Sequence, residues 1–269
     1  GAHRLTGISV FNILKEDHHW YLGARIDITK NDGAFQLSGG NPVSLPTVYY
    51  VFVELVDVQG VRRWKLKNHT FPHCLASCVS AVARDFYQQN RNRFSNIEGD
   101  DYDDPIQDLN CILSDIHGIV HAYHLRADSV ETLRGVPQQL NEVPRHDQLI
   151  TCEDISWNDA YTLVSFHLTF QNDFKEKDGG AILKLKVKLR YAELANALPT
   201  NVSLDLFRTY KMTGQGVKIS SSDRQNPLLR ELFADCAENL RTAALGEAVD
   251  AIRELIREKY ARLHATFQI

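Results

Sequence analysis

The chain has 269 residues, 43% hydrophobic and 24% charged, which excludes wholesale disorder and, at about 150 residues per domain, predicts two modules. Thirty basic against 34 acidic residues leave a net charge of −4, excluding the strongly basic footprint that non-specific nucleic-acid binding needs. The longest apolar stretch, from Val48 to Val56, is interrupted by Glu54 and is too short to span a bilayer, and five cysteines at scattered spacing are unlike a secreted disulfide framework. The expectation is a soluble, intracellular protein of two domains. The first residues, Gly1-Ala2-His3, lack a methionine, which leaves open a preceding targeting segment or disordered arm.

In chain order, Leu5, Ile8, Val10, Phe11 and Ile13 are rich in β-formers, and Trp20 to Ile28 alternates loosely. Gly33 and Gly39-Gly40-Asn41-Pro42 supply turn chemistry. Thr47 to Val56 is apolar at both parities and reads as a central strand covered on both faces. After a tight turn at Gln59-Gly60, Arg62, Trp64 and Leu66 alternate with Arg63, Lys65 and Lys67, as in a strand with one covered and one wet face. Beyond Pro72 the period becomes helical at Leu75, Val79, Val82 and Phe86. An acidic loop (Glu98, Asp100, Asp101, Asp103, Asp104) follows. Pro105 then opens a long helix with the stripe Ile106, Leu109, Leu113, Ile116, Val120, Tyr123, Ala127 and Val130, expected to end at Gly135 and Pro137.

The second half repeats this order. Residues 1–137 form the first expected module, 138–146 a polar linker with Pro144, and 147–269 the second module. Strands are predicted over 149–155, 161–170, 181–191 and 203–208, with a short one at 217–220. Asn226-Pro227 then makes a cap followed by a first-turn proline, and the chain reads as helical to about His264. The fold class is α+β: two tandem modules, each an antiparallel sheet of about four strands packed with helices.

The chemistry-bearing patterns are sparse. No nucleophile elbow, Walker A loop, zincin helix or kinase set is present. Gly214-Gln215-Gly216 lacks the strand–helix context of a phosphate cradle. His117, His121 and His124, at i, i+4 and i+7, suggest either a zinc-holding helix face in a metal-dependent hydrolase or a solvated helix flank. His73, Cys74 and Cys78 offer soft ligands or small core packing. The acidic run from Glu98 to Asp104 lacks the spacing and central glycine of a calcium loop. Lys184, Lys186, Lys188 and Arg190 share one strand face, a candidate surface for an acidic partner or phosphate and equally a wet sheet face. Leu245, Val249, Ile252, Ile256 and Leu263 recur near heptad spacing among Arg253, Glu254, Arg257 and Glu258. That narrow seam suits its own sheet or a partner helix, and Leu245, Val249, Ile252 and Ile256 are the candidate partner-binding residues.

Several segments together resemble the centromere protein O family. They are Arg4-Leu5-Thr6-Gly7-Ile8, Tyr21 to Asp27, Tyr49-Tyr50-Val51, Leu66 to Pro72, Gln107-Asp108-Leu109 and Ala122 to Val130. They fall in order between residues 4 and 134. The resemblance implies tandem RWD modules in a non-enzymatic subunit of the inner kinetochore, located at the centromere in the nucleus. It implies a heterodimer with centromere protein P, work beside centromere proteins Q and U, and no cofactor. The structural cousin centromere protein P itself, and an RWD-type adaptor outside the kinetochore, are the neighbouring readings.

Overall fold

A computed structural model describes residues 7–16, 19–28, 45–58, 61–90, 105–141, 148–172, 181–210, 216–218 and 227–267. Four strands open the chain: β1 (Ile8–Glu16), β2 (His19–Asp27), β3 (Val48–Val58) and β4 (Val61–His69). They pair antiparallel in the order β1-β2-β3-β4. Strand periodicity of two sends Leu22, Ala24 and Ile26 of β2, and Tyr49, Val51, Val53 and Leu55 of β3, to one face, where all are buried.

Two helices cover that face. α1 (His73–Gln89) starts immediately after Pro72, which cannot donate a backbone hydrogen bond and costs nothing there. Its buried row is Leu75, Val79, Ala83 and Tyr87, so the expected Val82 and Phe86 fall to the flank, half-buried. The Tyr87 hydroxyl fixes this rotation by accepting the backbone N–H of Trp64 at 2.9 Å. Trp64, buried in β4, donates its indole N–H to the Pro105 carbonyl at 2.6 Å and so ties down the start of the next helix.

That helix, α2 (Pro105–Asn141), is 37 residues long, about 55 Å at 1.5 Å per residue. Leu109, Leu113, Ile116, Val120, Tyr123, Ala127 and Val130 are buried as expected, while Ile106 in the first turn is 68% exposed. Around its middle the burial broadens to include Ile119, Ala122, His124 and Arg126, more than a single stripe. The helix runs through Gly135 and Pro137, where it was expected to stop. A proline in the penultimate turn removes one backbone hydrogen bond and leaves the last residues helical. The two compact units divide within α2, one ending at His124 and the other starting at Leu125. Residues 138–141 of the expected linker continue this helix, and 142–146 lie outside the described residues.

The second unit contains β5 (Gln148–Trp157), β6 (Leu163–Asn172), β7 (Ala181–Arg190), β8 (Asn201–Tyr210) and β9 (Gly216–Lys218), a meander in that order. Its inward residues include Cys152, Val164, Phe166, Leu168, Leu185, Val187, Leu189 and Leu206, all buried. Asn158 closes the β5–β6 turn by accepting the backbone N–H groups of Thr162 and Leu163 at 2.8 and 3.0 Å. α3 (Pro227–Thr242) and α4 (Leu245–Phe267) follow, separated at Ala243-Ala244 within the stretch expected to be helical. In the first turn of α4, a Cβ on Gly246 would lie 2.8 Å from the Thr132 methyl of α2, so glycine suits this close approach.

Arg126 is the polar anchor of this unit. It is 1% exposed and donates to the carbonyls of Leu194 at 2.7 Å, Asn196 at 2.6 Å and Ala160 at 3.3 Å, with Tyr191 beneath its guanidinium. Two residues earlier on the same helix, His124 plays the equivalent part for the first unit. Its Nε2 is hydrogen-bonded to the Tyr49 hydroxyl at 2.8 Å. Burial pushes the Tyr49 phenol up to about 12, which keeps it neutral.

Candidate docking surfaces

Each sheet has a face turned away from its helices. On the first, cross-strand register aligns Tyr50 with Arg25, Phe52 with Gly23, and Gly23 with Asn12. A bulge between Val10 and Asn12 takes Phe11 out of register and lays its ring over Gly23. A Cβ on Gly23 would meet the tip of that ring at 2.6 Å, so the glycine makes the seat. Phe11 stands edge-on to Tyr50 (centroids 5.8 Å apart) and to Phe52 (6.0 Å), both at 88°. The three are 52%, 39% and 40% exposed, and Leu14 beside them is 47% exposed. β3 is therefore covered on one face only, contrary to the sequence expectation. Tyrosine and phenylalanine suit a strand whether or not their own chain covers them, so the pattern of Thr47–Val56 looked doubly buried.

Charges border this patch. Glu54 accepts from His19 Nδ1 at 3.1 Å and Lys67 Nζ at 2.8 Å. The Lys67 ammonium holds the Glu54 carboxyl below the usual carboxylate range and is itself raised by it. Arg25 donates to Asp27 at 2.7 Å on the other side.

The corresponding face of the second sheet is polar. Lys184, Lys186, Lys188 and Arg190 lie along β7, opposite Thr169, His167, Ser165 and Leu163 of β6. Lys184 reaches Asp154 at 3.4 Å and Glu153 at 3.6 Å. His167 binds the same Asp154 at 2.7 Å, and the two together lower its carboxyl, His167 first. Asp154 sits at a bulge with φ of 52°, a left-handed conformation that aspartate tolerates better than most residues. Lys186, Lys188 and Arg190 make no ion pair among the described residues.

The C-terminal seam points inward. Leu245, Val249, Ile252 and Ile256 are 5%, 0%, 0% and 4% exposed, in the same core as Leu229, Leu232, Cys236 and Leu240 of α3. α3 folds back along α4 and takes up the seam offered to a partner helix in the sequence reading. Lys259 holds the pair of helices together by bonding Glu231 and Asp235, each at 2.9 Å. Leu263 falls outside the described side chains. Farther out, Asp235, Glu238, Glu254 and Glu258 line an open groove of about 410 Å³ between α3 and α4, which sequence spacing alone did not reveal.

The histidine row separates. His117 and His121 stack at 5.9 Å and 10°, and burial, then His121, lowers the His117 pKa. His124, expected on a solvated flank or at a metal, turns into the core to Tyr49 and is 5% exposed. Cys74 and Cys78 are half-buried, and burial pushes the Cys78 thiol up. Among the described residues no three His, Cys, Asp or Glu side chains come together to hold a metal. The acidic run 98–104 and residues 214–215 lie outside the described residues.

Comparison with known families says which kind of protein carries these surfaces. The model of a family described as Cenp-O kinetochore centromere component matches residues 12–197. The chain belongs to the Cenp-O family. The match runs from β1 past β7, beyond the segments at residues 4–134 that carry the resemblance in sequence. Cenp-O family membership gives the chain a structural role at the kinetochore. No curated protein matches it. No helix among the described residues is long and apolar enough to cross a membrane.

Proposed function

We propose that this chain is a non-enzymatic structural subunit of the inner kinetochore that heterodimerises with centromere protein P. The pair holds centromere proteins Q and U for kinetochore assembly and chromosome segregation, at the centromere in the nucleus, without a cofactor. The observation that carries this reading is the Cenp-O family match across residues 12–197, which takes in most of the chain. The open sheet faces support it, because a subunit of an assembly needs surface left over after its own cores are filled. On the second module, the Lys186, Lys188 and Arg190 row beside Lys184 meets an acidic protein surface. Its mixture with Ser165, Ser203 and Asn201 suits a solvated, salt-sensitive contact better than a dry one.

The test is to express the tagged chain in dividing cells, locate it, and identify what co-purifies at physiological salt. Centromeric foci and stoichiometric recovery of centromere proteins P, Q and U are expected. A cytosolic distribution with recovery of conjugation or translation factors instead would contradict the proposal and point to an adaptor.

A further inference from the structure

From the packing of the first sheet we infer that its aromatic open face, centred on Phe11, Tyr50 and Phe52, is the site at which the heterodimer partner, centromere protein P, docks. That partner presents a ridge of apolar side chains and a carboxylate opposite Lys65. The inference rests on the heterodimer reading above and assigns it a surface.

Size comes first. Large aromatics carry roughly 200 Å² of side chain each, so the exposed fractions of Phe11, Tyr50, Phe52 and Leu14 leave about 300 Å² of contiguous apolar surface. A standard protein contact takes about 800 Å² from each side, with a charge-poor, aromatic-rich centre and a polar rim. This face has that composition: aromatics in the middle, Arg25 and Asp27 on one side, His19, Glu54 and Lys67 on the other. The patch is thus the right size for the centre of such a contact and needs the rim to complete it.

The chain also invests in keeping the patch. A bulge in β1 displaces Phe11, and Gly23 is left without a side chain beneath it, although glycine weakens a strand. The ring over Gly23 and the cross-strand aromatic pairs support the sheet itself, yet Phe11, Tyr50 and Phe52 stay 52%, 39% and 40% exposed, more than that support requires. The second sheet is the internal comparison: its open face carries Ser165, His167, Thr169 and lysines, with Leu163 exposed at the end of the row rather than clustered aromatics. Because Phe11 packs edge to face on both Tyr50 and Phe52, the rings present a broad surface to a protein rather than a cage to a small ligand.

Charge selects the partner. On this face Glu54 is engaged by Lys67 and His19, and Asp27 by Arg25. Lys65, paired across the strands with Glu54 and exposed, makes no ion pair among the described residues. A carboxylate on the partner fits opposite it.

The test co-expresses the full chain with centromere protein P and measures affinity for three forms. F11S/F52S is expected to weaken the complex at least about 100-fold, as removal of two central aromatic anchors does. Gly23→Ala, which only lifts the ring of Phe11, is expected to weaken it about 10-fold with the thermal midpoint kept. Should F11S/F52S fail to fold, the photocrosslinker p-benzoylphenylalanine at Phe52 is expected to give adducts with the partner, and at Arg84, exposed on α1, none. A complex that survives F11S/F52S at unchanged affinity, or a Phe52 probe that gives no adduct, overturns this assignment alone. No complex with the unaltered chain overturns the heterodimer reading and the assignment with it. A chain that self-associates and becomes monomeric as F11S/F52S would put a second copy on the face, which also overturns the assignment.

Discussion

On the first sheet the residues turned away from the helices include Phe11, Leu14, Tyr50 and Phe52, whereas the same face of the second carries Lys184, Lys186, Lys188 and Arg190. Both sheets are antiparallel meanders backed by helices, so topology does not explain the contrast. The inner faces are alike: buried apolar residues, mostly branched aliphatics with Tyr49 in one and Phe166 in the other, alternate along the central strands. The open face of the second sheet shows what this architecture presents to water, with lysine stems, hydroxyls and a shared Asp154–His167–Lys184 cluster. The first sheet departs from that solution with no gain in its own core. Such a departure is expected where function, not folding, sets the residue.

The sharpest way to break the comparison is to place one charge at matched depths. Ile252→Asp puts a carboxylate at a fully buried site and is expected to cost more than about 4 kcal/mol, unfolding the second module in a urea titration followed by circular dichroism. Phe52→Asp on the open face loses strand propensity and the edge-on contact with Phe11 and is expected to cost about 1–2 kcal/mol in the same assay. Equal costs would mean that the aromatic face is core after all.

Arg126→Met should cost roughly 2–4 kcal/mol, because the carbonyls of Ala160, Leu194 and Asn196 lose a buried donor at once. Hydrogen exchange should then rise in residues 191–200 before the sheet itself opens. Tyr49→Phe, which removes the partner of His124 in the first module, is expected to cost about 1–2 kcal/mol in chemical denaturation.

The smallest effect is the acid limb. The folded Glu54 is more acidic than in the unfolded chain, where its pKa is about 4.3, so its contribution is fully present above that pH. It disappears as the pH falls through the lower folded value. Thermal midpoints measured downward from pH 5 should drop less steeply for Glu54→Gln than for the unaltered chain.

Much of this fold was legible in sequence because the signals are local. The alternation over 181–191 and the Asn226-Pro227 start gave β7 and α3 nearly to the residue. His124 was misplaced because what buries it, the Tyr49 hydroxyl, lies 75 residues away and leaves no mark on helical spacing. The seam at Leu245, Val249, Ile252 and Ile256 was read correctly as a helix face, but nothing in the period says whether the neighbour belongs to the same chain. The close approach that Gly246 allows is to Thr132, again a distant residue. The aromatic face failed for a different reason: hydrophobic pattern reports which side chains avoid water, and Phe11, Tyr50 and Phe52 match it without cover from the described residues. Its signal, in hindsight, is Gly23 opposite an aromatic at mid-strand.

Sedimentation of the purified chain alone and mixed with centromere protein P tests the structural-subunit claim most directly. A 1:1 complex is predicted, stable at physiological salt and lost when Phe11 and Phe52 are both changed to Ser. A chain that sediments identically with and without that partner would contradict it.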